Sequence, residues 1–135
     1  MISENVPLVQ LTGENALQFV LNQIRRERSL KRLDSLPPWF YPALGKVLAS
    51  LNMETEEFPE EDLDSYLKRK EEARRLETES RILFQLRFSK ICRLSVYETE
   101  SQDLRSMTPA EREALAEYRI VSRRFLNKLL GRDSA

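Results

Sequence analysis

From Pro59 to Tyr97 the chain carries no glycine or proline after its first residue, and that stretch limits what the rest can fold into. Glu60, Glu61 and Asp62 place acidic charge where the positive end of a helix dipole would begin. After them Leu63, Tyr66, Leu67, Ala73, Leu76, Leu83, Phe84, Phe88, Ile91 and Leu94 recur at helical spacing. This predicts one long helix with one apolar stripe. At about 1.5 Å per residue it would span roughly 55 Å. A compact domain of this length has a radius of gyration of about 14 Å and so a diameter near 40 Å. Such a helix outgrows its own domain, and something else is expected to pack against the excess.

The second half of the stretch sharpens that expectation. On a helical wheel Ile82, Leu86 and Tyr97 fall opposite Phe84, Phe88 and Ile91, with Val96 beside them. Earlier, the face opposite the stripe is charged, through Lys68, Arg69, Glu72, Arg75 and Glu79. A helix apolar nearly all round is covered on both sides. Either both faces serve the chain's own core, or one holds the domain and the other a partner. The second arrangement is the sharper expectation. It places Phe84, Phe88 and Ile91 in the core and assigns Ile82, Leu86, Val96 and Tyr97 to a subunit interface.

The remaining elements read in order. Residues 1–11 form a short arm with Val6, Pro7, Leu8, Val9 and Leu11. Thr12 can cap a first helix whose core face is Leu17, Val20, Leu21 and Ile24. Arg25, Arg26, Arg28, Lys31 and Arg32 follow, with Glu27 spaced to pair with Lys31. This basic cluster is either a solvated helix end or a phosphate contact. Pro37 and Pro38 stop one helix and lead into the next. Phe40, Leu44, Val47, Leu48 and Leu51 then mark an amphipathic helix, with Trp39 and Phe40 anchoring its corner in the core. Glu54, Glu56, Glu57, Glu60, Glu61, Asp62 and Asp64 are an acidic run without the Asp/Asn-and-Gly spacing of a calcium loop. Glu98 to Ser106 reads as a polar loop. Thr108-Pro109-Ala110-Glu111 is a capping box with proline at the first helical position. Leu115, Tyr118, Val121, Phe125, Leu126 and Leu129 carry that last helix to Gly131.

Composition narrows the function classes. The chain is 41% hydrophobic and 33% charged with only three glycines, which favours a helical globular domain over disorder or a β-sandwich. Positive and negative side chains balance at 22 each, so no global field draws it to nucleic acid. Histidine is absent, which removes the commonest general base and metal ligand. A lone cysteine, Cys92, excludes an internal disulfide and reads as a packed thiol in a reducing compartment. The sequence has no glycine-rich phosphate loop, HExxH or CxxC. The residues therefore point to an all-α bundle of about four helices, cytoplasmic (nuclear in a eukaryote), without cofactor or metal.

A family resemblance adds to this. The Leu36-Pro37-Pro38-Trp39-Phe40-Tyr41 corner, the helix end Arg81-Ile82-Leu83-Phe84-Gln85-Leu86-Arg87-Phe88-Ser89-Lys90-Ile91 and Met107-Thr108-Pro109-Ala110-Glu111 resemble, in order and spacing, the helical A domain of GINS replication proteins. The likeness runs over residues 14–130. With 1–11 as arm, 12–131 as A domain and 132–135 as tail, it is similar to the archaeal class with the A domain first, lacking the trailing B domain. The resemblance implies a non-enzymatic scaffold in a homo- or hetero-tetramer with other GINS subunits. It would join the MCM helicase to a RecJ-like partner, with primase or polymerase as further contacts, DNA met only weakly, and no membrane. The alternative is a helical nucleic-acid-binding regulator that uses Arg25, Arg26, Arg28, Lys31 and Arg32.

Overall fold

In a computed structural model, residues 11–56, 63–96 and 101–132 are described. They form α1 (Ala16–Ser29), α2 (Phe40–Glu56), α3 (Leu63–Leu94), α4 (Ser101–Ser106) and α5 (Pro109–Leu129). The architecture is an all-α bundle, and α3 is its axis, packing against α1, α2 and α5. The arm before Leu11, the acids Glu57, Glu60, Glu61 and Asp62, and Tyr97 lie outside the described residues.

Local chemistry explains the helix ends. Thr12 and Asn15 cap each other: Thr12 N–H donates to Asn15 Oδ1 at 2.8 Å, and Asn15 N–H donates to Thr12 Oγ1 at 3.3 Å. The turn they hold feeds α1, which begins one turn later than a Thr12 cap alone would place it. Thr108 and Glu111 complete the expected capping box of α5, with Pro109 in its first turn. At its far end Arg132 N–H donates to Asn127 O and Gly131 N–H to Lys128 O. That is a Schellman closure, with Gly131 at φ 68° supplying the left-handed residue. The segment expected as a polar loop contains α4, a single short helix held by Arg112 Nε donating to Leu104 O at 2.9 Å.

Two apolar clusters lie along α3. The larger joins Ala16, Val20 and Ile24 of α1 and Phe40, Leu44, Val47 and Leu51 of α2 to Ala73, Leu76 and Leu83. The smaller gathers Leu33, Ile91, Met107 and Leu115. The inward seam of α3 follows from them: Ala73, Leu76, Ser80, Leu83, Arg87, Lys90 and Leu94, spaced alternately three and four.

This seam corrects the expected division of faces. Phe84 is 50% exposed, not core, and Phe88 is half-buried at the edge of the seam. Ile82 and Leu86, expected at a subunit interface, pack partly buried against the chain's own larger cluster. The cause is plain: Arg87 and Lys90 occupy inward positions. A stripe drawn through apolar residues alone turns toward Phe84 and Phe88, by roughly 100° per residue. Phe40 and Ile91 are buried as expected, Trp39 is half-buried against Phe19, and Val96 is exposed.

Thr108 is fully buried and its hydroxyl oxygen accepts from Glu111 N–H at 3.3 Å. Thr108→Ala is expected to cost about 1 kcal/mol. Urea unfolding of the two proteins checks this, and an unchanged midpoint at unchanged slope would place the start of α5 elsewhere.

Candidate functional site

Between the two apolar clusters lies a buried charge cluster. Arg87 is fully buried on α3. Its Nε and Nη2 donate to the two carboxylate oxygens of Glu111, both at 2.7 Å. Nη1 donates to Glu27 Oε2 at 2.6 Å and to the Asp34 carbonyl, and Nη2 also donates to the Ser106 carbonyl at 3.1 Å. All five guanidinium N–H groups are thereby answered. Lys90, one turn on, donates to Glu27 Oε1 at 2.7 Å, Glu27 O at 2.8 Å and Arg32 O at 2.9 Å. Its three donors are used as well. The two cations and the carboxylates of Glu27 and Glu111 cancel, so this cluster carries no net charge.

Each partner occupies a position that helix physics favours. Glu111 stands in the first turn of α5, where negative charge meets the positive end of the dipole. Lys90 caps carbonyls at and just past the end of α1, where positive charge is favourable. Tyr41 donates its hydroxyl to Glu111 Oε2 at 2.7 Å, which adds the start of α2. Burial alone would raise the Glu111 carboxyl, but Arg87's hydrogen bonds and charge, helped by Thr108 N–H and Tyr41, outweigh it and hold the group below its ordinary value. Burial, and then the charge of Glu111, push the Tyr41 phenol well above its own.

The expected Glu27–Lys31 surface pair does not form. Glu27 is buried against Arg87 and Lys90, while Lys31 is exposed beyond the end of α1. Within the basic cluster, Arg26 pairs with Asp34 at 3.5 Å and Arg32 with Asp103 at 3.4 Å. Arg25, Arg28 and Lys31 are exposed. Cys92 is half-buried. Among the described residues no cluster of His, Cys, Asp and Glu is arranged to hold a metal, and no helix is long and apolar enough to cross a membrane.

Above the charge cluster an open groove of about 490 Å³ separates α3 from α5. Phe84, Phe88 and Ile91 line its α3 wall; Ala110, Ala114, Tyr118 and Val121 line the other; Tyr41 and Glu111 border it where the charges lie. Phe84 stacks on Phe88 at 4.9 Å, and Phe88 meets Tyr118 edge-on at 5.1 Å. This aromatic ladder is a stiff apolar surface open to solvent. No family profile, curated protein or solved structure matches the chain.

The groove continues onto a wider apolar face. Glu111 meets Arg87 and Ser122 meets Ser95, so α5 runs alongside α3 in the same sense. Inward positions of α5 therefore continue from Glu111 through Leu115, Tyr118 and Ser122 to Phe125 and Leu129. Phe125 and Leu129 are 60% and 68% exposed, and Val121 and Leu126 beside them are exposed too. The arrangement offers apolar contact, bordered by Tyr41, Glu111 and Glu117. The residues for this face were visible in the sequence as the last helix's stripe; what the sequence concealed is that most of it stays uncovered among the described residues.

Two outcomes test the charge cluster. Arg87→Met leaves Glu111 and part of Glu27 buried without their cation and is expected to cost about 3–5 kcal/mol. Phe84→Ala, at a half-exposed position, should cost well under that. Urea midpoints compare the two, and equal costs would contradict this seam. The second outcome is an acid limb. Glu111 has its folded value below the ordinary 4.5, so its contribution is complete above that pH and is lost as pH falls through the folded value. Stability measured from neutral pH downward should fall less for Glu111→Gln, which starts lower, than for the parent.

Proposed function

We propose that the chain is a non-enzymatic scaffold subunit of a GINS-type replication complex, bundling with other GINS subunits and linking the MCM helicase to a RecJ-like partner. The family part of this reading is supported by the resemblance of the Leu36–Tyr41 corner, the Arg81–Ile91 helix end and the Met107–Glu111 cap. One observation carries the scaffold part: the apolar face of Phe84, Val121, Phe125, Leu126 and Leu129, continuous with an aromatic groove and uncovered among the described residues. Contiguous apolar surface of this kind marks protein interaction sites. Histidine is absent from the sequence, and every donor of the buried Arg87 and Lys90 is committed to the fold, which supports binding over catalysis.

The test is co-expression with a second GINS subunit, followed by light scattering. The pair should purify as a complex of defined mass. Phe125→Glu should keep its helical circular dichroism, because the side chain meets water in the free chain, yet lower the mass of the assembly by burying a charge wherever this face meets another subunit. Chain and sister subunit running as separate species would sink the proposal.

A further inference from the structure

The face on α5 is self-complementary. Its first half carries small residues on the open side, Ala110 and Ala114, together with the acids Glu113 and Glu117. Its second half carries large apolar residues, Phe125 and Leu129, together with Arg124 and Lys128. Arg112 and Arg119 of the first half fall off this flank by helical phase. Along the flank itself the helix is small and acidic at one end, large and basic at the other, and fits a copy of itself running the opposite way. Laid antiparallel, Phe125 sits over the partner's Ala114, and the same register sets Leu129 over the partner's Ala110. Val121 then lies against the partner's Tyr118. On one flank Glu117 faces the partner's Arg124, and the two-fold axis repeats every contact, as an isologous interface requires. Both flank residues are exposed in the single chain.

We infer that the groove between α3 and α5 is filled by α5 of a second copy of this chain, antiparallel, with Phe125 seated over Ala114 and Glu117 paired with Arg124. The inference rests on the scaffold reading in taking this face as an interface, and it names the occupant. Parallel pairing is disfavoured by the same residues, because it would set Arg124 and Lys128 against their own copies and leave Ala110 and Ala114 facing each other across a gap.

A charge exchange tests both occupant and direction. Sedimentation of the purified chain over a concentration series should show a monomer–dimer equilibrium. Glu117→Arg alone places two like-charge pairs across the axis and should raise the dissociation constant about tenfold or more, and Arg124→Glu alone should do the same. The double variant Glu117→Arg/Arg124→Glu restores opposite charges only in the antiparallel register, and should return the constant to near the parent's. Circular dichroism monitors folding, which these exposed positions should leave unchanged. A parent that stays monomeric at high micromolar concentration overturns the inference, as does a double variant no better than the singles. If that monomer still forms the sister-subunit complex, the occupant is a different subunit and the scaffold reading stands. A rescued homodimer that forms no such complex keeps this inference and removes the GINS assignment.

Discussion

Arg87 is the residue on which the arrangement depends. A guanidinium without solvent is tolerable only when each of its donors has an acceptor, because a buried unpaired charge costs several kcal/mol. Five acceptors from four separate stretches meet that demand: Glu27 on α1, the Asp34 carbonyl in the loop after it, the Ser106 carbonyl ending α4, and both oxygens of Glu111 on α5. Leucine at this position could add burial but would not choose among orientations. The planar fork does, since only one placement of α5 presents both Glu111 oxygens to it.

The charge cluster also explains why the two apolar clusters differ. The larger joins three helices and needs no polar help. The smaller has four buried residues, and α5 contributes only Leu115 to it. Attachment of α5 therefore leans on the Arg87–Glu111 pair, on Tyr41–Glu111, on the Phe88–Tyr118 ring contact and on the Ser95–Ser122 hydroxyl contact at 3.2 Å. Holding a helix by charge near its start leaves its later apolar residues unspent. That is the physical origin of the exposed face, and the reason it lies where α5 extends past the described end of α3.

Much of this was legible in the sequence, and the failures have a common cause. Thr108-Pro109-Ala110-Glu111 announced a helix start, because capping is local chemistry that tertiary packing seldom overrides. The Gly131 closure, the amphipathic α2 and the all-α class followed from spacing and composition in the same way. The seam of α3 did not, because Arg87 and Lys90 carry charge and a search for apolar periodicity sends charge to solvent. Glu27 was misassigned for the matching reason: its spacing to Lys31 is ideal on a surface, and its true partners are distant in sequence. One signal was available. Replacing two seam positions by charged residues leaves an unbroken alternation of three and four from Ala73 to Leu94, and that alternation makes Arg87 and Lys90 candidates for burial. Among groove residues, Tyr41 and Ala114 gave no comparable sign.

The phase of α5 then follows from a single contact. Once Glu111 is fixed to Arg87, every later residue of α5 is turned by about 100° per step from a known direction. Leu115, Tyr118 and Ser122 must face α3, and they do: one is buried, one meets Phe88, one meets Ser95. Phe125 and Leu129 share that phase, and no described residue of α3 remains to receive them. Their exposure is thus a consequence of the cap and the ion pair, and does not signal loose packing. Sliding α5 back along α3 to bury Phe125 would withdraw Glu111 from Arg87 and strand two buried charges. Apolar contact with another helix leaves that pair intact. The chain can cover this face more readily by association than by rearrangement, because the interaction that orders its interior is the one that holds the face open.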